Sequence, residues 1–102
     1  MNDIPQVGFS AIPDDLFDMI LRTDFTKRQL LIIMAVIRQT YGEQQGRATI
    51  SAKAMSEMIS VDERNCRRTV AQLVSAGVLT SEPTQSGKTL GLVEDFEQWN
   101  IG

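Results

Sequence analysis

Three features of the 102-residue sequence predict a mainly α fold with a small β-hairpin, arranged as a winged helix-turn-helix. Two helical stretches meet at Ser60-Val61, a turn short enough to fix the angle between them. The second stretch stops at Gly77, a residue suited to the left-handed end of a helix. Two short runs with strand character then flank a turn-rich segment, Glu82 to Lys88, containing Pro83 and Ser86-Gly87.

Each element has a local reason. Residues 1–12 read as an irregular lead-in with Pro5 and Gly8. Pro13 suits a first helical position, and Asp14-Asp15 suit the positive end of that helix. Leu16, Phe17, Ile20 and Leu21 then give an apolar stripe over about 13–22. Thr26-Lys27-Arg28-Gln29 is a capping box, opening a helix to about Thr40 with Gly42 as its stop. That helix is apolar around most of its circumference from Leu30 to Ile37, which predicts burial in the domain or partly in a subunit interface. Tyr41 to Gly46 reads as a polar loop, and Thr49-Ile50 as a very short strand.

Ser51 caps a helix over 52–59 that turns Ala54, Met55, Met58 and Ile59 inward. Asp62 caps the next, which runs to Ala76 with Cys66, Val70, Leu73 and Val74 as its apolar stripe. Val78-Leu79-Thr80 and Thr89 to Val93 form the hairpin. Phe96 and Trp99, three apart, pin the C-terminal segment onto the domain, leaving 13–99 as one unit and 100–102 as a tail.

Composition excludes several chemistries. The length supports one core. There is no histidine, which removes His-based catalysis and His metal sites. The single cysteine, Cys66, cannot form an intrachain disulfide and reads as a small buried hydrophobe. No nucleophile–base pair is visible, so an enzyme, a metal and a cofactor are not expected. Ser86-Gly87-Lys88 lacks the rest of a phosphate-binding loop. No apolar run approaches the ~20 residues a membrane span needs, and no secretory signal is visible.

The formal charge of −3 and the pI of about 4.8 speak against nucleic acid when taken in bulk. The distribution reverses that. Residues 1–25 carry net −4 and residues 82–102 net −3, while residues 26–81 carry net +4.

The helix over about 62–76 is the candidate reading head. With its apolar stripe turned inward, Arg64, Arg68, Ala71 and Ser75 point outward. Asn65 and Gln72 flank one side of that face and Arg67 the other. Arginine pairs with guanine, and asparagine and glutamine pair with adenine, so this face suits the major groove of double-stranded DNA. Ser51, Lys53, Lys88, and Lys27 or Arg28, are candidate phosphate contacts. The same arginines also fit an ordinary solvated face, and Asp62 and Glu63 at the helix start would repel phosphate. Two other functions fit the pattern: an acidic winged-helix protein-interaction module using the Leu30–Ile37 helix, and a transcriptional regulator.

The sequence also resembles a known family. Asp24-Phe25-Thr26-Lys27-Arg28-Gln29, the apolar helix after it, and Ile37-Arg38-Gln39-Thr40-Tyr41-Gly42 are similar to the N-terminal domain of the replication protein O family of lambdoid phages. Gly8 to Pro13, Thr49-Ile50-Ser51 with Met55-Ser56-Glu57, Asn65-Cys66, Gly77-Val78-Leu79 and Phe96-Glu97-Gln98-Trp99 extend the resemblance over about residues 7–99.

The resemblance implies a replication initiator acting in the cytoplasm of a bacterial host. It implies binding to repeated, roughly palindromic origin sites as a homodimer, with several copies distorting the DNA. Recruitment of the host helicase goes through a loader that binds a second region of the family, a region these 102 residues do not contain. The expectation is an isolated origin-binding domain or a short relative without the recruiting half. One departure matters: Glu43-Gln44-Gln45 stands where the family often has Trp-Asn-Lys, removing an aromatic and a positive charge from that loop.

Overall fold

The computed structural model describes residues 12–101, in the order α1 (Asp14–Arg22), α2 (Lys27–Gln39), β1 (Ala48–Ile50), α3 (Ala52–Ile59), α4 (Glu63–Ser75), β2 (Leu79–Thr84) and β3 (Gly87–Leu92). Single 3₁₀ turns lie at Tyr41–Glu43 and Phe96–Gln98. The expected lead-in, apart from Ile12, lies outside the described residues, as does Gly102.

The protein is mainly helical, with four helices and a three-stranded antiparallel sheet of order β1-β3-β2. The hairpin is therefore not alone: β1 pairs along β3, with Ala48 opposite Leu90 and Ile50 opposite Lys88. The hairpin is also longer than the sequence reading, since β2 continues through Pro83 to Thr84 and only Gln85-Ser86 remain at the tip. Pro83 is tolerated because β2 is an edge strand.

α2 is the central pillar. The Thr26 hydroxyl accepts from the Gln29 N–H at 3.1 Å, and the Gln29 side chain accepts from the Thr26 N–H at 2.9 Å, the reciprocal cap read in the sequence. Ile32, Ile33, Val36 and Ile37 are fully enclosed as α2 packs on α3, α4, β1 and β3. Each such side chain contributes about 1.5–3 kcal/mol by burial. The domain's own interior thus accounts for most of the apolar character of this helix, while Leu30 is exposed and Leu31 and Met34 are half-buried.

Several local expectations shift. Pro13 is the cap of α1 rather than its first residue, its carbonyl accepting from the Phe17 N–H at 3.0 Å. Leu16 and Ile20 are buried as expected, but Leu21 is 69% exposed. Met58 is likewise exposed, at the edge of the stripe formed by Ala54, Met55 and Ile59, with its sulfur beside the Gln39 amide at 3.9 Å. The left-handed residue after α2 is Gln44 (φ 60°), not Gly42, because a 3₁₀ turn intervenes. Tyr41, read as loop, is buried and donates its hydroxyl to Glu94.

The C-terminal segment is held as Phe96 and Trp99 suggested. The Trp99 indole donates to the Val93 carbonyl at 2.9 Å, and its ring meets both Phe96 and Phe25. The Asn100 N–H donates to the Ala76 carbonyl at 2.7 Å, and Ile101 packs against the core.

Candidate nucleic-acid interface

The site begins at the turn joining α3 to α4. Ser60 adopts the left-handed conformation (φ 57°, ψ 43°), and its N–H closes α3 on the Ser56 carbonyl at 2.9 Å. Val61 packs against the core. Asp62 then caps α4, its carboxylate accepting from the Asn65 N–H at 3.1 Å and from the Asn65 amide at 2.6 Å. These two bonds, the side-chain one foremost, hold the Asp62 carboxyl below its ordinary pKa. The Cys66 thiol donates to the Val61 carbonyl at 3.4 Å, and burial pushes its pKa up, the behaviour of a structural rather than reactive thiol.

α4 presents the face the spacing predicts. Cys66, Val70 and Leu73 are buried, joined by Thr69, which the apolar pattern could not mark. Arg64, Arg67, Arg68, Ala71, Gln72 and Ser75 are exposed. Asn65 is half-buried, with its amide engaged by Asp62 rather than extended from the helix. Arg67 is drawn back to Glu63, with 3.6 Å between their charged groups.

The hairpin lies beside α4 and leaves a groove of about 410 Å³ between them. Ile50, Met55, Val70 and Leu90 supply its apolar walls, and Ser51, Arg67 and Lys88 its polar ones. Lys88 reaches this groove because of strand register. It lies two residues before Leu90 on the same sheet face, but near the tip, where no helix covers it. Ser51 accepts from the Ala54 N–H at 3.0 Å and keeps its hydroxyl proton for another partner. Arg68 and Gln72 line a different groove, on the other flank of α4. Lys53 and Arg64 are exposed and line neither.

The structure thus brings Ser51, Arg67 and Lys88 together on one side of α4, and Arg68 and Gln72 together on the other. Charge pairing separates the cations further. Among the described residues, ion pairs within 4.0 Å engage Arg38 with Glu43, Arg47 with Glu82, and Arg67 with Glu63. Lys27, Arg28, Lys53, Arg64, Arg68 and Lys88 make none. Pro83 and Thr84, read from the sequence only as part of a turn-rich segment, also line the hairpin groove, because β2 runs farther than its turn-forming residues suggested. Among the described residues no helix is long and apolar enough to cross a membrane.

Residues 1–99 match the family model described as bacteriophage replication protein O. The chain is 28% identical over 92 residues to DNA replication protein gp18 of Salmonella phage P22, covering 90% of this chain and 32% of that protein. It is 24% identical over 94 residues to replication protein O of Escherichia phage lambda, covering 92% of this chain and 27% of that protein. The chain therefore spans about a third or less of the length of these relatives. No solved structure matches it.

Proposed function

The chain belongs to the bacteriophage replication protein O family, and on that premise we propose that residues 13–99 are a winged helix-turn-helix unit that reads double-stranded DNA at a phage replication origin. In this reading α3 and α4 are the helix-turn-helix, α4 enters the major groove, and the β2–β3 hairpin is the wing.

One observation carries the reading. The second helix of a tightly turned pair exposes Arg64, Arg68, Ala71, Gln72 and Ser75 as a continuous face, with small residues where close approach is needed. Among the described residues Arg64 and Arg68 have no acidic partner within 4.0 Å, and both can offer two parallel N–H donors to a guanine edge. Gln72 can serve adenine. Ser51, Lys53 and Lys88 meet phosphates, as does Arg67 once it leaves Glu63; these contacts fix register without reading sequence. Asn65, the third residue of α4, supports the reading head by holding the Asp62 cap.

The wider role we propose, supported by the family resemblance, is binding to repeated, roughly palindromic sites as a homodimer, in the cytoplasm of a bacterial host, with helicase recruitment carried by a region beyond these 102 residues. No cofactor, metal or catalytic step enters it. The competing protein-interaction module has less surface to offer on this helix, since Ile32, Ile33, Val36 and Ile37 are enclosed in the domain and, of the apolar residues from Leu30 to Ile37, Leu30 alone is exposed. A transcriptional regulator would use the same chemistry at a different site.

Selection of bound sequences from random duplexes at physiological salt tests the proposal. Enrichment of one repeated, near-palindromic motif, lost in the Arg64→Ala, Arg68→Ala double variant, is the expected result. Absence of any enriched duplex, or an unchanged motif in the double variant, overturns it.

A further inference from the structure

The groove on the other flank of α4 holds about 740 Å³ and runs between the start of α2, the Ser60-Val61 turn and the outer side of α4. Its polar lining includes Lys27, Arg28, Arg68 and Gln72, and none of the described residues lining it is acidic. Leu31, Ile59 and Val61 give it an apolar floor, along which the stems of Lys27 and Arg28 can lie while their charged ends stay in water. Among the described residues Lys27, Arg28 and Arg68 have no acidic partner within 4.0 Å. The Asp62 carboxylate is engaged by Asn65, and the Arg28 charge contributes to keeping it ionised.

The two grooves lie on roughly opposite sides of α4, one along Cys66, Arg67 and Val70, the other along Arg68, Thr69 and Gln72. A helix inserted in a major groove about 12 Å wide has a sugar-phosphate backbone along each flank. Cations on only one flank would tether the helix; cations on both would seat it.

We infer that this second groove is a phosphate clamp, in which Lys27 and Arg28 hold the duplex backbone on the flank of α4 away from the hairpin while Arg68 and Gln72 continue inward to the bases. The inference rests on the duplex-reading function proposed above and deepens it. The sequence marked Lys27 or Arg28 as a candidate phosphate contact; the groove joins both to Arg68 and Gln72 and places them on the flank of α4 opposite Lys88. The clamp positions the protein and carries no sequence information.

The test is the salt dependence of binding to a duplex bearing the selected motif, between about 50 and 200 mM salt. Wild type is compared with the Lys27→Gln, Arg28→Gln double variant, with Arg22→Gln on α1 as a control, each checked for folding by circular dichroism. The double variant is expected to flatten the slope of log affinity against log salt by about 1.8, that is about 0.9 for each of two lost phosphate contacts. Its selected motif should be unchanged, and the control should match wild type. A slope equal to wild type overturns the clamp while leaving the duplex-reading function standing. A changed motif also overturns it, because the pair would then read bases. If wild type binds no duplex, the function itself fails and the clamp with it.

Discussion

Arg67 reaches back one turn of α4 to Glu63, with 3.6 Å between its Nη1 and the Glu63 Oε1. The pair lies on the edge of α4 that borders the hairpin groove, where a phosphate would compete with the carboxylate. Both side chains are about half exposed, so the ion pair itself is weak, roughly 0.3–0.5 kcal/mol. Glu63 also serves α4, since a negative charge in the first turn opposes the helix dipole.

Glu63→Gln should therefore move two measurements in opposite directions. Duplex affinity rises about three- to tenfold, because Arg67 is released and one negative charge within a Debye length of the phosphates is gone. Stability falls by about 0.3–1 kcal/mol with the lost dipole interaction. Fluorescence anisotropy and urea unfolding read the two effects separately. Affinity equal to or below wild type would show that this edge of α4 does not meet DNA.

Arg64 and Arg68 should behave differently from Lys88. Replacing either arginine by alanine should weaken binding to the selected motif by about 1–3 kcal/mol and relax preference at one base position. Lys88→Ala should weaken all duplexes alike and flatten the salt slope by about 0.9. Competition between the selected and a scrambled duplex distinguishes the two: their affinity ratio drops for the arginine variants and holds for Lys88→Ala.

What the sequence disclosed was local. Thr26 with Gln29, Ser51 and Asp62 all act as caps because a cap is decided within three residues. The exposed face of α4 was legible because its phase is fixed by Cys66, Val70 and Leu73. What the sequence hid was long-range. Tyr41 looked like loop because its partner Glu94 is 53 residues away. The groove joining Lys27 and Arg28 to Arg68 exists only because α2 packs on α4. Leu21 and Met58 met the helical pattern but found no neighbouring element to cover them. Asn65 had the right chemistry for a base, yet its amide is nearer use at the Asp62 carboxylate.

Gly77 carries two constraints at once. Its φ is +78°, and a Cβ placed there would sit 2.5 Å from the Gln98 carbonyl oxygen. Gly77→Ala should lose about 1–3 kcal/mol from the backbone conformation alone, and more from the displaced C-terminal segment. The Trp99 indole, held on Val93 and set at an angle against the Phe25 and Phe96 rings, provides the local signal. A lower urea midpoint together with red-shifted tryptophan emission is expected. A midpoint equal to wild type would mean that the strap does not contribute to folding.

Tyr41 supplies a pH dependence of definite sign. Burial, then its hydrogen bond to the Glu94 carboxylate and the charge of that group, push the phenol well above its ordinary value. The folded state therefore keeps the proton after the unfolded chain has begun to lose it, near pH ~10. The stabilisation is complete below that pH and is lost as pH rises through the folded value. Tyr41→Phe removes the hydroxyl and should be less stable at neutral pH by about 1–2 kcal/mol, the lower range for a hydrogen bond to a charged acceptor that is itself exposed. Above pH ~10 the wild-type advantage should shrink. The elevated Cys66 thiol is common to both proteins and cancels in the difference. Because Tyr41 is the single tyrosine of the sequence, phenolate absorbance follows its ionisation directly. An ordinary titration near pH ~10 in the folded protein, or an advantage that stays constant through that range, would show that the Tyr41–Glu94 contact does not hold in solution.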